Sequence, residues 1–221
     1  MFTEDMVKTI IEGAARFNLA VYPWSVVIPA VLALAAIWLT VRAFRKPGVV
    51  SSRILKIFIG TVYQYAGLSV AFVCLGRMDS ALFGTFALCS VGMLFYIDAA
   101  FKKDVLKLTE KPVLRFVSIF LMAYGIFLYP VVEKLTGFGW PGMVFFGAEC
   151  PTTIFTIGLL LAVMPKANRL ILILLSLNAM MTGFSVGLSG GYFDYAYGLA
   201  GAISTVFIIL YRKEFFARRS G

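Results

Sequence analysis

The sequence predicts an all-α polytopic membrane protein: a seven-transmembrane-helix bundle with an N-terminal amphipathic interfacial helix. Three observations carry this. Hydrophobic residues make up 61% of the 221 and charged residues only 14%, with mean hydropathy +0.91, whereas soluble domains carry about a quarter charged residues. Seven apolar stretches have the roughly 17 to 22 residues that a helix needs to cross about 30 Å of hydrocarbon, and backbone groups in lipid must pair within their own helix. Finally, charge alternates from loop to loop.

Residues 1–22 read as the amphipathic helix. Met6, Val7, Ile10, Ile11, Ala14 and Phe17 share one face and Glu4, Asp5, Lys8, Glu12 and Arg16 the other, with Thr3 as its cap. Such a helix lies along the interface or covers the bundle. Glu4 and Asp5 stand where a secretory signal needs a basic start. Asn18, Tyr22, Pro23 and Trp24 then lead into the transmembrane domain, residues 23–211, and a basic cytoplasmic tail fills 212–221. The spans are placed at Trp24 to Val41, Ile57 to Leu75, Ala81 to Ile97, Val113 to Val132, Met143 to Met164, Leu170 to Leu188 and Tyr195 to Tyr211.

Between the spans, Asp98 to Lys111 reads as a solvated loop forming a short interfacial helix. Small residues mark close helix approach at Ser80, Gly84 and Ala87, at Gly183 and Gly187, and at Gly198 and Ala202. The same faces offer surfaces for a homo- or hetero-oligomer. Gln64 and Asn178 sit at similar depths inside spans, where a bare carboxamide is costly. A contact between them satisfies both; otherwise each bonds a backbone carbonyl or another helix.

The net charge of +9 points to topology and not to nucleic acid. Of the 20 basic residues, all but Lys8, Arg16, Arg77 and Lys134 fall in the loops after spans one, three and five or in the tail. The positive-inside rule then puts the N-terminus outside and the C-terminus in the cytoplasm of a bacterial inner membrane. The outer face is acidic, with Glu4, Asp5, Glu12, Asp79, Glu133, Glu149 and Asp194. No charge falls near the centre of any span, which counts against an ion-coupled pump. The chain has no histidine, which removes His-ligated haem, His-rich zinc sites and His-based triads, and no cofactor is implied. Cys74 and Cys89 are core residues by their surroundings, and a Cys74–Cys150 disulfide is one alternative on the outer side.

Chemistry concentrates in Phe145-Phe146-Gly147-Ala148-Glu149-Cys150-Pro151-Thr152-Thr153-Ile154-Phe155-Thr156. Pro151 suits the first turn of a helix, so Cys150 is expected at the cap, with Gly147 turning the backbone into it. Glu149, Cys150, Thr152, Thr153, Tyr129, Asn18 and Asp194 form the candidate ligand-binding pocket, and Gln64 and Asn178 the intramembrane polar pair. The lone thiol suits a soft metal ion as one ligand among others. As a nucleophile it would need a nearby base, and no catalytic residue is assigned: the chain is read as a non-enzyme.

The run from Phe146 to Leu160, with Phe17-Asn18, Tyr22-Pro23, Tyr129-Pro130 and Asp194 followed by Gly198, resembles the signature of an uncharacterised bacterial family of multi-spanning membrane proteins, a domain-of-unknown-function group. That family often has a Gly-His pair where this chain has Gly137-Phe138, and a small residue or Pro where it has Glu149, so the resemblance implies no Cys-His site here. It implies the membrane fold and marks the motif without supplying an activity. The expected function is a small-solute or metal-ion permease or binding protein with an outer-facing pocket; the alternative is a non-catalytic accessory or structural subunit of a membrane complex. The lipid bilayer is the first partner.

Overall fold

A computed structural model describes residues 3–74 and 79–216, with the side chains of 74 and 79–81 left aside. The expectations placed on Cys74, Arg77, Asp79, Ser80, Arg218 and Arg219 lie outside the described residues or side chains. Every element described is helical: α1 (Glu4–Ala20), α2 (Trp24–Arg45), α3 (Val49–Cys74), α4 (Asp79–Phe101), α5 (Pro112–Ala123), a π-helical turn (Tyr124–Leu128), α6 (Tyr129–Leu135), α7 (Glu149–Ala162), α8 (Arg169–Leu188), a 3-10 turn (Tyr192–Asp194), α9 (Tyr195–Leu210) and α10 (Arg212–Phe216).

Local chemistry sets several of these boundaries. Thr3 accepts a hydrogen bond from the Met6 amide at 3.3 Å and so caps α1. Asn168 accepts from the amides of Leu170 and Ile171 and starts α8, and Pro112 opens α5, where a missing amide hydrogen costs nothing. Among the described residues six helices are long and apolar enough to cross a membrane: Trp24–Arg45, Val49–Val73, Leu82–Phe101, Pro112–Leu135, Arg169–Leu188 and Tyr192–Leu210. They mark a membrane-spanning protein.

The expected span from Met143 to Met164 differs. Its helix is α7 alone, 14 residues, about 21 Å at 1.5 Å per residue against the roughly 30 Å of a hydrocarbon core. Residues 143–148 are taken up in a turn: Gly147 has φ +106°, a conformation open to glycine, and the Val144 amide donates to the Glu133 carboxyl at 2.8 Å. In exchange α7 is enclosed on every side. All twelve residues from Pro151 to Ala162 are buried, among α3, α5, α8, α9 and the π-helical turn.

Two glycines allow this enclosure. A Cβ on Gly125 would stand 2.4 Å from the Pro151 carbonyl oxygen, and one on Gly158 would stand 2.8 Å from that of Ser118. The α8–α9 approach expected at Gly183 and Gly198 is made, backbone to backbone. The approach of α3 to α4 is tightest at Gly60, Gly67 and Gly92, and looser at the expected Gly84, where a Cβ would stand 3.7 Å from the Val70 side chain. Gln64 and Asn178 do not meet: Gln64 donates to the Cys89 carbonyl at 3.0 Å, while Asn178 serves a different network.

Basic loops gather at one end of the bundle, and there the expected interfacial helix between Asp98 and Lys111 is absent. Residues 102–111 run extended across the end and are tied down along their length. The Leu106 amide donates to Ser52 Oγ at 2.8 Å, and the Thr109 amide donates to the Ala162 carbonyl at 2.7 Å. Lys56 and Asp98, only 5% and 4% exposed, pair at 2.6 Å. Lys102 also pairs with Asp98, Asp104 with Lys56, and Asn168 donates to Asp98 Oδ1 at 2.5 Å. The strap is therefore not a solvated face: its backbone finds partners in α3 and α7, and a helix would have removed them.

Removing one partner of a buried ion pair leaves the other uncompensated. Lys56→Met is expected to lower stability by about 3 kcal/mol, the lower end for such a loss because Lys102 and Asn168 still face Asp98. Thermal unfolding in detergent reads this, with Lys103→Met as a control that should leave the midpoint unchanged.

Candidate binding cavity

The shortness of α7 decides where the motif goes. Its N-terminus lies below the end of α6, at the depth of Gly125, so Glu149 and Cys150 open into the interior of the bundle. The helix starts at Glu149, with Ala148 as its cap, and not at Cys150 as expected. Pro151 still falls in the first turn. Thr152 Oγ1 accepts a hydrogen bond from the Gly147 amide at 2.9 Å and holds the turn closed.

Beside this terminus is a cavity of about 730 Å³, within the usual range for small-molecule sites. Cys150, Glu149, Tyr129, Asn18 and Asp194 all line it, as does Asn178. Thr152 and Thr153 do not. Both are buried, and Thr153 accepts from the Tyr63 hydroxyl at 3.1 Å on another side of α7.

The roof is α1, whose residues Val7, Ile10, Ile11, Ala14 and Phe17 face the cavity. This is the apolar face expected from the sequence, and it covers the bundle. Gly13 brings α1 against α3, since a Cβ there would meet the Val73 carbonyl oxygen at 2.4 Å. Asn18 donates from Nδ2 to the carbonyls of Pro141 at 2.7 Å and Met143 at 2.9 Å. Its role is thus to fasten the loop after α6, in addition to lining the space.

Three carboxyls reach the floor and upper wall. Glu149 Oε1 accepts from Asn178 Nδ2 at 3.1 Å and from the Tyr197 hydroxyl at 3.4 Å. Asp194 Oδ1 accepts from the Tyr129 hydroxyl at 2.6 Å, and Cys150 adjoins both. Glu133 Oε2 accepts from the Val144 amide. Glu133 and Asp194 are only 2% and 4% exposed, so these acids face inward and not to the outer solution as expected. The α7 N-terminus adds a positive dipole end beside Glu149. Among the described residues no lysine or arginine lines the cavity.

Glu133 and Tyr197 were not singled out from the sequence. Glu133 follows Tyr129 by four residues, the spacing of one helical face, and that was the available signal. Tyr197 carried none. Among the described residues no group of three or more His, Cys, Asp or Glu is placed to hold a metal ion. Cys89 and Cys150 are free thiols.

The fold and cavity together define a helical membrane-spanning protein with an acid-lined internal cavity. The family model described as "Family of unknown function (DUF6064)" matches residues 8–220, and the chain belongs to that family. No curated protein and no solved structure matches the chain.

If Asn18 fastens the loop as its two bonds imply, Asn18→Ala should release residues 137–146. Chymotrypsin added to protein in detergent is then expected to cut after Phe138 several-fold faster than in wild type, a change of about 1 kcal/mol in local opening. Equal cutting rates would show that the loop is held by other contacts.

Proposed function

We propose that this protein binds a small organic solute in the cavity at Glu149 and Cys150, as a non-enzymatic permease or solute-binding protein of the bacterial inner membrane. The observation that carries the reading is the cavity itself, which starts at the motif and runs between α4 and α8. A filled core with one exposed apolar flank would have favoured the accessory subunit instead. An organic solute is preferred to a soft metal ion, since one thiol with dispersed carboxyls is a poor donor set.

In this reading the acidic end faces outward and the basic end faces the cytoplasm, following the charge rule. The chain passes the membrane seven times, and the seventh passage combines the loop after α6 with the short α7. A helix broken in this way places backbone and polar side chains at depth only where they line a cavity. α1 lies at the outer interface. Toward the basic end Tyr63 and Phe95 are buried and stacked, with ring centroids 6.0 Å apart.

The test uses Ala87→Trp, which fills the cavity at an exposed position on α4 and leaves the core intact. Mass spectrometry of purified wild-type protein should find an organic compound in amounts comparable with the protein, and Ala87→Trp should lose it. In a Cys74→Ser/Cys89→Ala background, Cys150 should react with N-ethylmaleimide, and Ala87→Trp should slow that reaction by about tenfold, as expected for a thiol whose access is blocked. Identical bound mass and identical labelling in the two proteins would remove the proposal.

A further inference from the structure

The cavity combines two surfaces that are seldom joined. Its walls are mainly apolar, from Val70 and Val91 to Leu94 and Leu174, with Ser69 and Ser90 among them, while its carboxyls, Glu133, Glu149 and Asp194, come from α6, α7 and the 3-10 turn. The side wall is also incomplete. α4 packs closely on α3 but meets α8 only in passing, and the lining residues Phe83, Ala87 and Leu174 are exposed on the outer surface of the bundle. In a membrane that surface faces acyl chains, so the cavity opens sideways into lipid.

Among the described residues the lining holds three carboxyls and no lysine or arginine, so it offers acceptors to an ammonium head and no cation to an anionic one. Acceptor capacity also remains. Glu149 is bonded through Oε1 alone and Glu133 through Oε2 alone, so the second oxygen of each has no protein donor among the described residues. Tyr65 and Phe145 also stand in the lining, and aromatic faces suit cations.

We infer that the ligand is an amphiphilic amine dissolved in the bilayer, with its apolar chain between α4 and α8 and its ammonium head against Glu133 and Glu149. This rests on the cavity being a binding site, and it adds the class of occupant and its route. The ammonium brings several donors to carboxyl oxygens that have none, and the chain covers aliphatic walls that would otherwise be wetted.

The experiment measures protection of Cys150 from N-ethylmaleimide in lipid nanodiscs, in the Cys74→Ser/Cys89→Ala background. The probes are dodecylamine, dodecanol, dodecanoate and ethylamine. Dodecylamine is expected to slow labelling, and the other three are not. Glu133→Gln and Glu149→Gln should each weaken dodecylamine protection by about tenfold, the loss expected for one charge-assisted hydrogen bond. Both variants keep a polar amide in place, and a thermal midpoint near that of wild type shows that they fold. Equal protection by dodecanol or dodecanoate overturns the cationic head while leaving the cavity as a site. Protection by ethylamine overturns the lipid route, and dodecylamine protection unchanged in both glutamine variants overturns the carboxyl assignment. Dodecylamine protection that persists in Ala87→Trp places the amine elsewhere and takes the cavity reading with it.

Discussion

The arrangement depends on one short helix having no free side. α7 buries twelve residues in succession, so none of its faces can be polar to water or open to lipid, and its neighbours must approach it closely all round. Gly125 and Gly158 provide that approach on one flank. Enclosure also explains why the helix can be short. A segment exposed to lipid would need to satisfy its backbone across the full hydrocarbon thickness, whereas one wrapped in protein can end early where its open amides face a cavity. The space above its early end is the cavity.

The two ends of the bundle solve opposite problems. At the basic end, charge is buried and matched: Lys56, Asp98, Lys102 and Asp104 neutralise one another, and a ten-residue strap supplies backbone partners to α3 and α7. At the acidic end, carboxyls are buried without a cation beside them among the described residues, held by neutral donors such as Tyr129, Asn178 and the Val144 amide. A chain seeking stability alone would treat both ends alike. The contrast locates the part of the molecule shaped for something other than its own folding.

Hydropathy made the long helices legible because lipid imposes a length and a composition on them, and α2, α3, α4, α8 and α9 appear close to where apolar runs place them. The α1 face was legible for a similar reason, since Val7, Ile10, Ile11, Ala14 and Phe17 recur at helical spacing. The start of α7 was not. Apolar residues from Met143 to Phe146 look like helix to any count of hydrophobicity, and only the contacts of Val144 and Gly147 with distant groups reveal the turn. The strap was hidden likewise, because Lys102 to Lys111 has the composition of a solvated loop while its bonds go to Ser52 and Ala162. Of the site, Glu149, Cys150, Tyr129, Asn18 and Asp194 could be gathered from the sequence. The inward aim of the acids could not, as it follows from the depth at which α7 begins.

The π-helical turn at Tyr124–Leu128 bears on how such a cavity is retuned. There the Tyr129 amide bonds five residues back, to the Tyr124 carbonyl, so the turn carries one residue beyond the ordinary α count. Gly125, Tyr129 and Glu133 thereby share a buried face at intervals of four. Loss of a single codon in this turn would restore the common winding and swing everything beyond it by about 100°, carrying a hydroxyl and a carboxyl out of the interior together. Loss of one residue here would change what this wall presents while leaving every one of its side chains unaltered.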